Sequence, residues 1–277
     1  MLTEDATRNL VRVQSEQISY HDVGSGQCLI LVHGSGPGAT GWSNFRRNIE
    51  PLAQHFRVIT LDLPGFGNSS KPNVPIDRVY SYYAEIILEL MDVLKIEKAS
   101  FVGNSLGGGI SLRVALSQSE RVDKLVLMGS GGGVQLFTPS PAEGIKHLLN
   151  YYDGEGPTRE KLRKFLEVMV YDASQLTDEL IEERFASSTQ PEIIARPLFT
   201  RSRLPKGEPL FHLLSQVKQK TLIIWGRDDR TVPVDNSFIM LNQIPDARLH
   251  IFGQCGHWTQ WEKADEFNRI VLDFLEH

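Results

Sequence analysis

The sequence predicts an α/β fold with a mostly parallel, doubly wound sheet, and two observations support this prediction. Short runs of β-branched and aliphatic residues alternate with longer helical stretches, as parallel strands joined by crossover helices require. The runs are also apolar along nearly their whole length, which is typical of strands buried on both faces. They are RVITL (57–61), ASFVG (99–103), KLVLM (124–128), TLIIW (221–225) and RLHIF (248–252).

The flanking elements follow from the same periodicities. Helices are expected at 77–94, 106–116 and 263–275. The N-terminal part has three strand-like runs, around Val11, at 17–23 and at 28–32. Gly24, Ser25 and Gly26 separate the last two runs, and this predicts an N-terminal antiparallel hairpin between them.

One long interval breaks the alternation of strands and helices. Residues 134–220 contain no convincing strand, and helical stretches are expected there at 142–152, 159–171, 178–187 and 192–200. Ligands of open α/β sheets bind at the carboxyl ends of the strands, so a helical insertion between two strands is expected to cover that edge. The predicted domains are therefore a core, 1–133 with 221–277, and an inserted helical cap, 134–220.

Composition and charge exclude several classes of protein. The chain has 277 residues, of which 41% are hydrophobic and 23% charged, as in a globular protein. A net charge of -5 without clustered Lys and Arg argues against a nucleic-acid partner. No apolar run is long enough to span a bilayer, and the N-terminus carries acids where a signal peptide would be basic. We expect a cytoplasmic protein with no membrane partner.

The strongest motif is Gly103-Asn104-Ser105-Leu106-Gly107. It follows a predicted strand and precedes a predicted helix, which is the context of a nucleophile elbow, a strained turn that exposes a serine hydroxyl. The alternative is a glycine-rich turn in which the serine only caps the helix. Gly-x-Ser-x-Gly is common by chance, so the context carries more weight than the residues themselves.

A nucleophilic serine needs a base and an orienting acid, which α/β-hydrolases supply in the order Ser, Asp, His. Asp229 follows one predicted strand, and His257 follows the next. Asp228 is the rival acid, and Asp229 is preferred because its Gly-x-x-Asp spacing matches the acid turn of such enzymes. The predicted oxyanion donors are the backbone N–H groups of Leu106 and Ser35.

Two other functions share parts of this pattern. Residues 34–39 fit G-x-G-x-x-A after a strand, and Asp62 lies at a suitable distance for a ribose contact, so a nucleotide-binding oxidoreductase is a distant alternative. It would leave the Ser105 and His257 turns without a purpose. A carboxylesterase with the same Ser-His-Asp triad is the nearer alternative.

Beyond these motifs, the sequence resembles the meta-cleavage product hydrolases of bacterial aromatic degradation. The resemblance covers nearly the whole chain, and it is carried by HGSGPGATGWSNFRRNI (33–49), LDLPGFGNS (61–69), GNSLGGG (103–109), ERFASSTQPE (183–192), WGRDDRTVP (225–233) and GQCGHWTQWEKADEFN (253–268). It implies an α/β-hydrolase fold and a homo-oligomer with no metal or organic cofactor. It also implies hydrolysis of the C5–C6 bond of a 2-hydroxy-6-oxohexa-2,4-dienoate to 2-hydroxypenta-2,4-dienoate and a carboxylate.

The resemblance assigns further residues to the substrate. Arg184 matches the arginine that holds the carboxylate or enolate oxygen, a task suited to a planar guanidinium. Asn44 and Asn104 match polar residues beside the dienoate, and Trp258 matches a pocket tryptophan. The likeness is greatest to the biphenyl and dibenzofuran members, so an aryl substituent at C6 is expected, with an alkyl or carboxyalkyl substituent as the alternative. Candidates for the wall around it are Leu148, Leu149, Phe165, Val168, Met169 and Phe199.

Overall fold

A computed structural model describes residues 2–134, 137, 140–204 and 208–277. Positions 135, 136, 138, 139 and 205–207 of the predicted cap lie outside the described residues, as does Met1 of the predicted core. Residues 134–220 are called the cap segment below.

Eight strands form one sheet in the order β1-β2-β4-β3-β5-β6-β7-β8. Strands β3 to β8 are parallel, and β1 and β2 form an antiparallel pair at one edge, so the predicted fold class is confirmed. The strands are β1 Arg8–Val13, β2 Glu16–Val23, β3 Cys28–Val32, β4 Arg57–Leu61, β5 Ala99–Asn104, β6 Val122–Met128, β7 Lys220–Gly226 and β8 Ala247–Phe252.

Helices cover both faces of the sheet. They are α1 Glu4–Thr7, α2 Gly41–Phe45, α3 Ile49–Leu52, α4 Val79–Val93, α5 Leu106–Ser117, α6 Glu143–Asn150, α7 Arg159–Met169, α8 Asp178–Ser188, α9 Pro191–Ala195, α10 Asp235–Gln243, α11 Thr259–Glu262 and α12 Ala264–Glu276. Side chains of α4, α5 and α10 share one apolar cluster with the sheet, and those of α2, α3 and α12 share the other. Because successive strand residues point to opposite faces, Ile30 and Leu31 of β3 belong to different clusters.

The antiparallel hairpin exists, but its predicted position is wrong. Strand β2 pairs with β1 and with β4, and not with β3, so the hairpin turn lies at Gln14 and Ser15. Both edges of β3 are taken by β4 and β5, which leaves β2 no place beside it. Gly24, with φ +85°, instead lets the chain pass close to the segment between α3 and β4: a Cβ there would lie 2.3 Å from the Phe56 carbonyl oxygen.

Two smaller expectations also need correction. The fourth helix of the cap segment, α9, ends at Ala195 and not near residue 200, because Pro197 disfavours the helical conformation at the residue before it. Strand β8 was expected to be buried on both faces. It is the edge strand, so residues 247–251 are partly or fully exposed and only Phe252 is buried.

Asp62 organises the loops at the carboxyl ends of β3 and β4. Its buried carboxylate accepts hydrogen bonds from the N–H groups of Gly41 and Asn68, both 2.9 Å long. Burial raises the pKa of this carboxyl, and the two N–H donors act in the opposite direction. Because it is used inside the protein, Asp62 does not have the role of a ribose ligand.

We predict that Asp62→Ala destabilises the fold by about 2–4 kcal/mol, because the buried Gly41 N–H and the part-buried Asn68 N–H lose their acceptor. Urea denaturation would measure the change in the free energy of unfolding. Asp77→Ala, at an exposed position, is the matched control and should change stability by less than about 0.5 kcal/mol. Equal effects of the two substitutions would contradict the role given to Asp62.

Candidate active site

Ser105 lies in a sharp turn between β5 and α5. Its φ of 55° and ψ of −114° are rare for a residue with a side chain, and they leave it partly exposed at the end of the strand. The turn requires glycine on both sides. A Cβ on Gly107 would lie 2.1 Å from the Val32 carbonyl oxygen, and one on Gly103 would lie 2.4 Å from that of Gly107. This is the geometry of a nucleophile elbow.

Asp229 and His257 form a buried pair at the ends of β7 and β8. His257 Nδ1 donates a hydrogen bond of 2.7 Å to Asp229 Oδ2. The other carboxylate oxygen accepts from the N–H groups of Thr231 and Val232, at 2.7 and 2.9 Å. The rival acid, Asp228, points elsewhere, with its carboxylate 3.3 Å from the Arg227 guanidinium. Of the two acids, only Asp229 can orient the histidine.

The ring of His257 is held in a narrow space. Gly129, with φ +46°, lies under it, and a Cβ there would be 2.8 Å from the ring. Because Nδ1 is bound to Asp229, Nε2 faces the cavity, where it is buried and has no hydrogen-bond partner among the described residues. A ring nitrogen in this state can accept a proton from a nearby hydroxyl.

Ser105 and His257 line one cavity between the sheet and the cap segment. Its walls bring together all of the predicted site residues except Leu106 and Asp229. The lining residues are Gly34, Ser35, Gly36, Ala39, Asn44, Asn104, Ser105, Ile145, Leu148, Phe165, Met169, Arg184, Thr231, His257 and Trp258.

The two predicted oxyanion donors come from different segments, and Ser35 lines the same cavity as Ser105. Leu106 begins α5, and the first N–H groups of a helix have no partner within it. Ser35 belongs to the loop after β3, whose shape is fixed by His33. The His33 Nδ1 donates to the Gly34 carbonyl oxygen at 2.7 Å, and its Nε2 accepts from the Leu63 N–H at 3.0 Å. Burial lowers the pKa of His33 to about 4, so the ring stays neutral.

Arg184 is a buried cation that forms no ion pair with any carboxylate in the described part of the chain. Its side chain is 1% exposed, and only Nε has a partner, the Pro37 carbonyl oxygen at 2.8 Å. Both terminal nitrogens are buried with no hydrogen-bond partner among the described residues. Burial lowers the pKa of the guanidinium to about 10, and it therefore remains charged at neutral pH. Its central carbon lies 5.1 Å from the Trp258 ring. Such a group is suited to bind an anionic ligand.

Asn44 and Asn104 lie together on the polar wall of the cavity. The Asn44 side-chain amide donates to Asn104 Oδ1 at 3.5 Å, and Asn44 Oδ1 accepts from Gln260 Nε2 at 2.8 Å. Gln260 was not predicted from the sequence, although it lies three residues after His257 in the segment that carries the resemblance. It fixes the orientation of the Asn44 amide, whose nitrogen is thereby directed towards Asn104.

The apolar wall matches the expected cap residues only in part. Leu148, Phe165 and Met169 line the cavity, whereas Phe199 lines a neighbouring cavity that shares Ser35 and Leu148 with it. Leu149 and Val168 line neither cavity and are buried. Ile145 and Thr231 were missed, because their position depends on how α6 lies against the turn after β7.

The first two helices of the cap segment are bonded to that turn. The Gly144 N–H, in α6, donates to the Arg230 carbonyl oxygen at 3.0 Å, and Arg230 Nη2 donates to the Glu167 carbonyl oxygen, in α7, at 2.6 Å. Close approach requires glycine in α6, since a Cβ at position 144 would lie 2.1 Å from Thr231 Oγ1. The acid turn and these helices therefore form one unit.

Comparison with known proteins agrees with this geometry. Residues 27–264 match the family described as alpha/beta hydrolase fold. A 2-hydroxy-6-oxo-6-phenylhexa-2,4-dienoate hydrolase of Comamonas testosteroni is 44% identical over 99% of this chain and 98% of its own length. A 2-hydroxy-6-oxononadienedioate/2-hydroxy-6-oxononatrienedioate hydrolase of Burkholderia vietnamiensis is 45% identical over 99% of this chain and 97% of its own length. The chain belongs to the meta-cleavage product hydrolases.

Solved structures of such hydrolases have the same fold. A mutant of the meta-cleavage product hydrolase CumD superposes with a TM-score of 0.88 and 38% identity, covering 98% of each chain. The 2-hydroxy-6-oxo-6-phenylhexa-2,4-dienoate hydrolase of Rhodococcus sp. strain RHA1 superposes with a TM-score of 0.87 and 29% sequence identity. The match covers 98% of this chain and 100% of the other. The resemblance inferred from the sequence is confirmed.

Neither a metal-binding cluster nor a membrane-spanning helix is present among the described residues. No set of three or more His, Cys, Asp or Glu side chains among residues 2–134, 137, 140–204 and 208–277 is placed to hold a metal ion. Within the same residues, every helix is too short or too polar to cross a bilayer.

We predict that His33 makes the hydrolase less stable in acid. The pKa of His33 is about 6.5 when unfolded and about 4 when folded, so the unfolded chain binds its proton first. His33 therefore does not lower the free energy of unfolding above about pH 6.5. As the pH falls from there to 4, protonation of His33 in the unfolded chain lowers that free energy by about 3 kcal/mol. Unfolding free energies from pH 7.5 to 4 should fall less in His33→Gln than in the wild type. Exposed His277→Gln is the control, and a parallel fall in all three proteins would refute the prediction.

Proposed function

We propose that this hydrolase cleaves the C5–C6 bond of 2-hydroxy-6-oxo-6-arylhexa-2,4-dienoates, giving 2-hydroxypenta-2,4-dienoate and an aromatic carboxylate. The observation that carries the proposal is the position of Arg184. Its buried guanidinium, whose terminal nitrogens have no partner within the described ranges, shares one cavity with Ser105 and His257, so the site combines acyl-transfer groups with a receptor for an anion. An enzyme for neutral esters has no use for such a charge, which is costly to bury.

The first proposed step is conversion of the dienol to its keto tautomer. Arg184 holds the carboxylate and enolate end of the substrate, and Asn44 and Asn104 provide polar contacts beside the dienoate. His257 moves the proton with Nε2, which faces the cavity. Ketonisation makes the dienoate fragment a better leaving group, because the electron pair released from the C5–C6 bond is then delocalised as an enolate.

In the second step Ser105 attacks the C6 carbonyl. His257 takes the hydroxyl proton, and Asp229 keeps the imidazole in the Nδ1–H tautomer and stabilises its cation. The N–H groups of Ser35 and Leu106 stabilise the oxyanion. The C5–C6 bond then breaks, and its electron pair is delocalised to the C2 oxygen of the leaving dienolate, which receives the proton held by His257. An acyl-Ser105 intermediate remains. Water, deprotonated by His257, releases the carboxylate and restores Ser105.

An aryl substituent at C6 suits the walls of the cavity better than a carboxylate. The relatives include hydrolases named for a phenyl substrate and others named for dicarboxylate substrates. A second carboxylate needs a second cation, but Arg184 is the one Lys or Arg in the described lining. Ile145, Leu148 and Phe165 provide an apolar wall. A planar aromatic ring is the substituent that such a wall favours.

Further proposals concern the organisation of the protein. Residues 1–133 and 221–277 act as the catalytic core, and residues 134–220 act as a cap, supported by the apolar cluster that α6 to α8 share with Trp258 and Trp261. The family resemblance supports a homo-oligomer. A cytoplasmic location is part of the same proposal.

We predict that the purified protein bleaches yellow 2-hydroxy-6-oxo-6-phenylhexa-2,4-dienoate with formation of benzoate. Ser105→Ala should slow this by at least about a thousandfold, because the nucleophile is removed. Absorbance and chromatography of benzoate would measure it. Ser117→Ala, exposed at the end of α5, is the matched control and should behave as wild type.

The nearer alternative, a carboxylesterase, predicts the opposite pattern in the same assay. Rapid hydrolysis of p-nitrophenyl esters without bleaching of the dienoate would refute C–C bond hydrolysis. The Ser105, His257 and Asp229 roles would then remain, and Arg184 would lose its proposed ligand.

We predict that Arg184→Met separates activity from stability. For the dienoate, kcat/KM should fall about a hundredfold or more, because a buried charge pair with the substrate is lost. Turnover of p-nitrophenyl acetate should change by less than about threefold. Removing an unpaired buried charge should also stabilise the fold by roughly 1–3 kcal/mol. Exposed Arg196→Met is the control, and an equal loss on both substrates would argue against an anion receptor.

A further inference from the structure

Glu262 connects the turn that carries His257 to the end of α7 in the cap segment. Its Oε1 accepts a hydrogen bond from the Gly256 N–H, and its Oε2 accepts one from the Tyr171 N–H, both 2.7 Å long. Gly256 directly precedes His257, and Tyr171 lies two residues beyond the end of α7. One carboxylate therefore fixes the distance between the two segments.

The backbone of the same two segments is in direct contact. The Met169 carbonyl oxygen, at the end of α7, accepts hydrogen bonds from the N–H groups of His257 at 2.8 Å and Trp258 at 3.3 Å. Gly256 permits this approach, because a Cβ there would lie 2.7 Å from that oxygen and 2.9 Å from the Val170 carbonyl carbon. The cap segment thus determines where the main chain of His257 lies.

The surroundings of Glu262 indicate that it binds N–H groups and not a cation. It ends α11, and its own N–H donates to the Trp258 carbonyl oxygen at 2.8 Å, which fixes its backbone next to the histidine turn. No Lys, Arg or His nitrogen in the described part of the chain forms an ion pair with its half-buried carboxylate. A surface glutamate kept only for solubility would not need two short backbone bonds.

We propose that Glu262 is a positioning residue that holds His257 at the correct distance from Ser105 and ties that distance to the position of the cap segment. The inference rests on the proposed role of His257 as the base. Asp229 fixes the tilt of the imidazole ring through Nδ1, but it does not fix the main chain on which the ring is carried. Glu262 and the Met169 carbonyl oxygen fix that main chain.

This role affects the rate of reaction and not the binding of substrate. Glu262 does not line the cavity, and the proposed contacts to the anion come from Arg184 and the two asparagines. Displacement of His257 should therefore lower kcat and leave KM nearly unchanged. Ester hydrolysis uses the same serine and histidine, so it should be slowed by the same factor as dienoate cleavage.

The test compares Glu262→Gln and Glu262→Ala with Glu266→Ala, an exposed glutamate of α12 that serves as the matched control. Glutamine keeps one acceptor oxygen and presents an NH₂ group to the other N–H, so it loses one of the two bonds. We expect kcat to fall about 10- to 100-fold in both Glu262 variants, for the phenyl dienoate and for p-nitrophenyl acetate alike. KM should stay within about threefold, and Glu266→Ala should match the wild type.

Several outcomes would overturn the proposal. They are a kcat within twofold of wild type in Glu262→Gln, a loss confined to KM, or a loss on only one of the two substrates. Circular dichroism and Tm would be recorded for each variant. A lowered Tm with normal kcat, or failure of both variants to fold, would mean that the carboxylate serves stability only. If the wild type hydrolyses only the ester, the proposed function fails, but the ester kinetics still decide the role of Glu262.

Discussion

The sharp turn at Ser105 is the constraint on which the rest of the site depends. A residue with φ 55° and ψ −114° between a buried strand and a helix brings the first turn of α5 against β3 and β5. Only glycine fits at 103 and 107, and in return the serine hydroxyl is presented beyond the sheet. The other groups can reach it because parallel strands end at one edge, where the turns after β3, β7 and β8 also lie.

The buried positive charge of Arg184 lowers the stability of the fold, because a charged group is costly to remove from water. Arg184 is buried with one carbonyl contact and an aromatic neighbour, and its terminal nitrogens have no hydrogen-bond partner among the residues that the structure describes. The protein offsets this with backbone hydrogen bonds, since the loop that receives the arginine is held by His33 and by the buried carboxylate of Asp62. Both of these groups lie in environments that disfavour their charged forms. The hydrogen-bonded loops around the cavity therefore hold one residue whose burial is energetically unfavourable.

The sequence was sufficient for features that have a local signature. Buried strands, the Ser105 turn and the placement of Asp229 and His257 follow from runs and glycines that are close together in the chain. Features that depend on which segments meet in space were missed or wrong. The hairpin was assigned to the wrong strand pair because a turn signal does not reveal that β4 lies between β2 and β3. Gln260 and Glu262 look like ordinary polar residues of a short helix until the fold brings Asn44 and Tyr171 to them.

The bonds between the first half of the cap segment and the catalytic turns limit how such an enzyme can diversify. Ile145, Leu148 and Phe165 form the apolar wall, and they lie on the two helices that are bonded to the Arg230 turn and to the His257 turn. Grafting these helices from a relative would therefore move the acid and the base together with the wall. New substrate ranges are reached more safely by single side-chain changes on a fixed backbone than by exchange of the whole module.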